Sequence, residues 1–210
     1  MANIVDMKNK LVPIEKKTAK SSENYDQLIK AGLISLTQKG FSSSGIEEIL
    51  KNAKVPKGSF YYYFKSKEEF GLALIDSYSN YFARKLDKFF LDETLTPVER
   101  LEHFIEAARI SMARYDFQRG CLVGNLGQEM TILPGSFRQK LIDVFTDWQH
   151  RTELCLAQAQ KSGLIRSEID CKTKAEFFWI GWEGAILRAK LERSAAPLDL
   201  FSKDFLMSLK

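Results

Sequence analysis

Three cysteines, five prolines and two histidines are all that the 210 residues carry of these types, and each scarcity removes a class of protein. An odd number of cysteines without metal-ligand spacing excludes a disulfide framework and a structural zinc site, and fits free thiols in a reducing cytoplasm. His103 and His150 stand alone, and neither a glycine-rich phosphate loop nor a serine nucleophile elbow occurs, so no catalytic centre, metal or cofactor is expected. The stretch Gly124-Asn125-Leu126-Gly127 is too short for a nucleotide fingerprint. No apolar run is long enough for a membrane: residues 177–187 are interrupted by Glu183 and fall far short of the ~20 residues a spanning helix needs. The first twenty residues lack the apolar stretch of a signal peptide, so a soluble, cytoplasmic protein without a membrane partner is expected. Scarce proline and few strand-like alternations leave an all-α chain, and a hydrophobic content of 45% gives it enough apolar surface for a sizeable core.

What is present is a series of capping signals around one unusual helix. Ser44 with Glu47 three residues later reads as a capping box, so a short helix should open near Gly45, with Ile46, Ile49, Leu50 and Ala53 as its apolar face. After a tight turn Pro56 should start the next helix, VPKGSFYYYF. On a helical wheel Phe60 and Phe64 fall with Ala53 and Val55, while Gly58, Tyr61, Tyr62 and Lys65 fall opposite and Tyr63 lies at the inward edge. Tyrosines, a glycine and lysines make poor core, yet they suit a surface that approaches phosphates and touches base edges. Ser66 and Glu69 form a second capping box, which places Lys67 at a helix start where backbone amides also attract phosphate. An aromatic run at helical spacing is by itself as compatible with core. Two short helices, a tight turn, an outward aromatic and lysine face and a capped third helix together point to a helix-turn-helix.

These residues carry a family resemblance. From about residue 25 to 70 the chain resembles the DNA-binding domain of TetR-family repressors, in which I-x-x-I-x-x-x-A is followed by V-x-K-G-S-F-Y-x-Y-F-x-S-K-E. The resemblance implies base or phosphate contacts from Lys57, Gly58, Ser59, Tyr61, Tyr62 and Tyr63, a phosphate contact from Lys67, and support from Ser43 and Ser44. Charge agrees: residues 1–70 hold twelve lysines against eight acidic residues, whereas the remaining 140 hold nineteen of each sign. Lys8, Lys10, Lys16, Lys17 and Lys20 form either a solvated tail or an arm reaching along the duplex.

Beyond the reading helices, a long helix is expected over 67–90, with Phe70, Leu74, Tyr78, Tyr81, Phe82 and Phe89 inward. Thr96-Pro97-Val98-Glu99 is a capping box with proline at the first helical position, opening a helix to about 115. Further helices are expected over 120–130, 136–162, 171–193 and 197–209, with Gly163 ending the longest. The expected architecture is an N-terminal three-helix domain over residues 1–66 with its basic arm, then a C-terminal helical bundle over 67–210. The helix at 171–193 is apolar around most of its circumference, so part of it should face a partner. Gly181 and Gly184 would admit a close approach beside Phe178, Trp182 and Ala185, and the resemblance implies a homodimer through the last two long helices.

Cys121 is the candidate sensor. It sits in the first turn of an expected helix beside Arg119, and both features favour thiolate over thiol, although a free cysteine is also a common small core residue. GCLVGNLGQEM, residues 120–130, with its RGC lead-in resembles a TetR subgroup of repressors responding to electrophiles such as acrylate, N-ethylmaleimide and reactive aldehydes. That resemblance implies that Cys121 senses the effector, by covalent addition or as a pocket wall. Asn125 and Gln128 fall near the thiol's side of the helix, and Phe104, Met112, Trp148 and Trp179 are candidate pocket walls. The reading is a ligand-responsive repressor binding a palindromic DNA operator. Its competitors are a DNA-binding regulator without effector and a thiol-reactive, ligand-binding bundle.

Overall fold

Side-chain caps set three of the helix starts in the computed structural model, which describes residues 19–210. The described residues form α1 (Ala19–Lys39), α2 (Ile46–Ala53), α3 (Lys57–Tyr63), α4 (Lys67–Phe90), α5 (Pro97–Arg114), α6 (Leu122–Gln128), α7 (Ser136–Lys161), α8 (Cys171–Glu192) and α9 (Ala196–Met207). The basic arm expected of Lys8, Lys10, Lys16 and Lys17, together with the Lys20 side chain, lies outside the described residues. Thr96 caps α5 reciprocally: its hydroxyl accepts from the Glu99 N–H at 3.3 Å, and its own N–H donates to Glu99 Oε2 at 2.8 Å. Ser66 caps α4 by accepting from the Glu69 N–H, while the Glu69 carboxylate reaches back to the Lys65 N–H at 2.8 Å. Asp170 caps α8, and Gly163, at φ +69°, follows the end of α7.

Two expected caps differ by one position. Gly45 is the N-cap of α2, and Ser44 is fully buried. Its hydroxyl donates to the Gly40 carbonyl at 2.6 Å, so the 2.7 Å bond to Ser35 Oγ must be donated by Ser35. The turn through Gly40, at φ +78°, folds Ser44 back onto α1 before α2 begins. Pro56 is the N-cap of α3 rather than its first residue, held extended at ψ 146°.

Helices α1 to α3 close over a core that includes Leu28, Leu36, Ile49, Leu50, Val55, Phe60 and Phe64. Phe70 and Leu74, from the first turns of α4, complete it, with the Phe70 ring 5.3 Å from Phe60 and 4.8 Å from Phe64. From there α4 runs 24 residues, about 36 Å, into a body where α5, α7, α8 and α9 pack around Phe104, Trp148, Phe178, Trp179 and Trp182. Its buried stripe advances in steps of four, Phe70, Leu74, Tyr78, Phe82, Leu86 and Phe90, and so rotates slowly from the head's core to the body's. Tyr81, expected inside, falls off that drifting stripe and is exposed. Trp179 is fixed by its indole N–H, which donates to Thr152 Oγ1 at 2.9 Å, and that hydroxyl donates to the Trp148 carbonyl. Among the described residues no helix is long and apolar enough to cross a membrane.

Gly71 is where α4 leaves the head. A Cβ there would lie 2.6 Å from the Phe41 ring and 2.5 Å from the Phe137 ring, and those buried rings pack edge to face at 5.0 Å. Gly71→Ala should therefore lower unfolding stability by roughly 1–3 kcal/mol. Urea denaturation measures this; an unchanged midpoint would mean that the rings move aside freely.

Candidate DNA-reading surface and effector cavity

The outer face of α3 is built by what its inner face must bury. Phe60 and Phe64 are in the core, so a helical repeat turns Tyr61 and Tyr62 outward at 52% and 64% exposure. Lys57, Gly58 and Lys65 are exposed as well, Ser59 is half-buried, and nothing lies within 4 Å of a Cβ placed on Gly58. Lys57 is 3.5 Å from Glu47 across a solvated gap. Tyr63 sits at the inward edge, its ring 5.6 Å from that of Tyr25. Ser43 is exposed in the turn before α2.

Two residues expected to touch or support DNA do something else. Ser44 is inside, as described above. Lys67 turns inward: its ammonium donates to the Phe41 carbonyl at 2.8 Å and lies 4.5 Å from the Phe41 ring centre. Burial pushes its pKa down, with Glu129 opposing that shift. The side chain ties the start of α4 to the turn between α1 and α2 instead of extending to a phosphate.

Inside the molecule, a cavity of about 350 Å³ is bounded by α1, α4, α5, α8 and the segment leading into α6. Phe82, Met112 and Trp179 supply apolar wall, and Tyr78, Cys121 and Glu183 form a polar cluster. Cys121 is the N-cap of α6. The Glu183 carboxyl, the Tyr78 hydroxyl and the Gly124 N–H surround its sulfur. Gly124 is necessary here, because a Cβ at that position would lie 2.1 Å from Glu183 Oε2.

The electrostatics reverse the thiolate expectation. Burial pushes the Cys121 thiol well above its ordinary pKa, and the neighbouring Glu183 pushes it further. Burial and then the same neighbours push Tyr78 up as well. Arg119 does not serve as counter-ion, since its guanidinium is stacked 3.9 Å from the Tyr115 ring centre. Glu183 is raised by burial to about 7, and its Oε1 is buried without a hydrogen-bond partner. The cluster is thus a protonated thiol beside a carboxyl able to take up or release a proton near neutrality.

Of the expected effector residues, Cys121, Met112 and Trp179 line the cavity. Phe104 and Trp148 are fully buried core behind it, and Gln128 is exposed. Asn125 is turned away, its amide donating to the Leu36 and Thr37 carbonyls at 2.9 and 3.0 Å. In the sequence Glu183 stands out only as the interruption of an apolar run. The signal was that interruption itself, because an acid with Trp179 and Trp182 on one side and Ala185, Ile186 and Leu187 on the other has little chance of facing water.

The expected dimer residues also change face. Phe178, Trp182 and Ala185 are buried within their own chain, with Phe178 4.9 Å from Phe205, and Gly181 makes room for Phe201, which would lie 2.2 Å from a Cβ there. Gly184 alone of the set is open. The uncovered apolar stripe is Phe177, Ile180, Leu187 and Leu191 on α8, with Leu200 and Met207 on α9, one residue round the helix from the expected set.

Between the ordinary glutamate range and about pH 7, folded Glu183 retains a proton that the unfolded chain has released, so stability falls as pH rises across that window and levels off above it. Glu183→Gln should remove this slope, exceeding the wild type by roughly 2–4 kcal/mol at pH 8 and by much less at pH 5. Urea unfolding at both pH values checks this; a difference independent of pH would mean that the carboxyl is ionised in the fold.

Comparison with known proteins agrees with both halves of this arrangement. Residues 28–74 match the family described as bacterial regulatory proteins, tetR family, and residues 97–205 match the tetracyclin repressor-like C-terminal domain. The chain is 56% identical over 181 residues to the transcriptional regulator AcuR of Cereibacter sphaeroides, covering 86% of this chain and 83% of that one. It is 34% identical to the HTH-type transcriptional repressor DhaR of a Mycobacterium species, covering 83% of this chain and 86% of that one. A crystal structure of a regulatory protein TetR from Rhodobacter sphaeroides superposes with a TM-score of 0.88 at 54% identity, over 89% of this chain and 99% of that one. With a reading helix on one end, a lined cavity in the other and both halves matched in order, the chain belongs to the TetR family of bacterial regulatory proteins.

Proposed function

We propose that the chain is a homodimeric transcriptional repressor that holds a palindromic operator through α3 and leaves it when a small electrophile, acrylate-like or aldehyde-like, enters the cavity and meets Cys121. The observation that carries this reading is the Cys121 thiol on the wall of an otherwise largely apolar cavity, with the Glu183 carboxyl beside it on the same wall. The regulators AcuR and DhaR support regulation and repression respectively. A buried thiol is a poor nucleophile until its proton has an acceptor. Ionised Glu183 takes that proton as Sγ adds to the β-carbon of an unsaturated carbonyl. The proton then passes to the α-carbon, leaving a thioether and an unchanged oxidation state, while Phe82, Met112 and Trp179 hold the apolar body of the ligand.

On this reading residues 1–66 are the DNA-binding unit and 67–210 the effector and dimer unit. A second copy covers the apolar stripe of α8 and α9, setting two α3 helices at the roughly 34–36 Å of one helical turn. The effector acts by favouring the arrangement in which that spacing fails, and can do so only through unequal affinity for the two arrangements. Tyr78 and Phe82 link the cavity to the head because they sit on the helix whose first turns complete the head's core.

Lys57→Ala should weaken binding to a duplex selected from random DNA at least tenfold and lower the magnitude of the salt slope by about 1. Unchanged affinity would remove α3 from the interface. For the effector, operator release by acrylate and by N-ethylmaleimide is measured for wild type and Cys121→Ser, with intact mass recorded. Release with an adduct that the variant lacks is expected. Equal release without an adduct would mean a reversible pocket, and no release would leave a DNA-binding regulator without this effector.

A further inference from the structure

Helix α6 is only seven residues long, about 10 Å, yet its two ends touch different machinery. Its N-cap is Cys121 in the cavity wall. Its other end grips the turn between α1 and α2. The last carbonyls of a helix have no partners within it, and in α1 they are met from the body: Leu36 and Thr37 by the Asn125 amide, Thr37 also by the Gly120 N–H at 3.0 Å, and Gln38 by the Lys190 ammonium at 3.0 Å. Past the turn, the Phe41 and Ser42 N–H groups donate to Glu129 Oε1 and Oε2 at 2.9 and 2.7 Å. Asn125 and Glu129 are four residues apart and therefore on one side of α6. Gly40 is shaped to this contact, since a Cβ there would lie 1.7 Å from Glu129 Oε1. Phe41 also accepts from Lys67 at the start of α4, so the turn that leads into α2 and α3 is held from both helices that begin beside the cavity or the head.

We infer that Asn125 and Glu129 are coupling residues: they transmit a change at Cys121 to the turn between α1 and α2, and through it to the reading helix. The inference rests on the reading of the cavity as an effector site. The bonds leave α6 little freedom to shift alone. A group added to Cys121 displaces the N-terminus of α6 from Glu183 and Tyr78, and the helix then either carries the turn with it or leaves the Phe41 and Ser42 amides without their partner and takes the Asn125 bond from the Leu36 and Thr37 carbonyls. Coupling between sites is reciprocal in binding free energy, so an operator bound to α3 must in turn disfavour the state in which Cys121 carries an adduct. Because the adduct requires the shift of α6 that the operator opposes, alkylation should slow as well.

The experiment uses N-ethylmaleimide as probe, the thiol adding across its double bond and the thiol proton ending on the neighbouring carbon. Trypsin releases residues 120–138, in which Cys121 is the sole cysteine, so its alkylation rate is read separately from Cys155 and Cys171. Rates are taken with and without saturating operator for wild type, Glu129→Gln and Asn125→Ala. In the wild type the operator should slow alkylation about fivefold or more; in both variants the ratio should fall towards one while the rate without DNA stays within twofold of wild type. A merely structural role would lower the melting temperature and leave the ratio as in the wild type, which would overturn the inference. A second measurement needs no DNA: alkylation at Cys121 should raise hydrogen exchange at the Phe41 and Ser42 amides, and unchanged exchange there would overturn the inference even if a variant bound DNA poorly. Alkylation that releases the operator without either effect defeats the coupling alone. A wild type that is not alkylated at Cys121 defeats the effector reading and the inference with it.

Discussion

The open carbonyls at the end of α1 are the demand around which the molecule is arranged. Water meets that demand for an exposed helix end, and a left-handed glycine with its own amides meets it for an isolated one. Here Gly40 supplies only part, donating to the Leu36 carbonyl at 3.1 Å, and the body supplies the rest through Asn125, Gly120 and Lys190. The orientation of the head is thereby set by polar bonds to α6 and α8, while Phe70 and Leu74 of α4 provide its apolar floor. These forces differ in range. Apolar packing tolerates small sliding, whereas a hydrogen bond weakens steeply with misalignment, so the angle between head and body is held more sharply than their mere contact.

The cluster of Tyr78, Cys121 and Glu183 works against stability. A carboxyl with one oxygen unpartnered beneath an aromatic core is a cost that apolar replacement would avoid. Its presence beside the one cysteine in the cavity wall makes chemical sense, because the same burial that raises the thiol's pKa also raises the acceptor's towards neutrality. Burial holds the thiol protonated and leaves the carboxyl beside it able to accept a proton near neutrality. The cluster lies at the end of α6 opposite Glu129, so chemistry and mechanical constraint share one short helix.

Where local chemistry decides, the sequence was readable. Thr96 with Pro97 and Glu99, Ser66 with Glu69, and Gly163 place helix ends within a residue because each effect acts inside one turn. The outward tyrosines followed from period alone, since Phe60 and Phe64 leave Tyr61 and Tyr62 nowhere else to go. Failures came where a partner lies far along the chain. Ser44 looks like a cap until Ser35 and Gly40 compete for its hydroxyl. Cys121 looks activated by Arg119 until Glu183, sixty-two residues later, arrives beside it. For α8, nearly apolar on all sides, no period distinguishes the face against α9 from the face left open, so Phe178 and Trp182 look as open in sequence as Phe177 and Ile180 are in the fold.

All three tryptophans of the chain belong to the body, each at most 1% exposed, and two of them stand 4.8 Å apart with Trp179 at the cavity wall. The seven tyrosines include three consecutive ones on the reading helix. Indole emission therefore arises in the body alone, with Trp179 at the cavity wall, whereas phenol absorbance mixes both units, since Tyr78, Tyr81 and Tyr115 line the cavity while Tyr61 and Tyr62 are in solvent on α3. One unlabelled sample thus carries a spectroscopic channel private to the body and none private to the head.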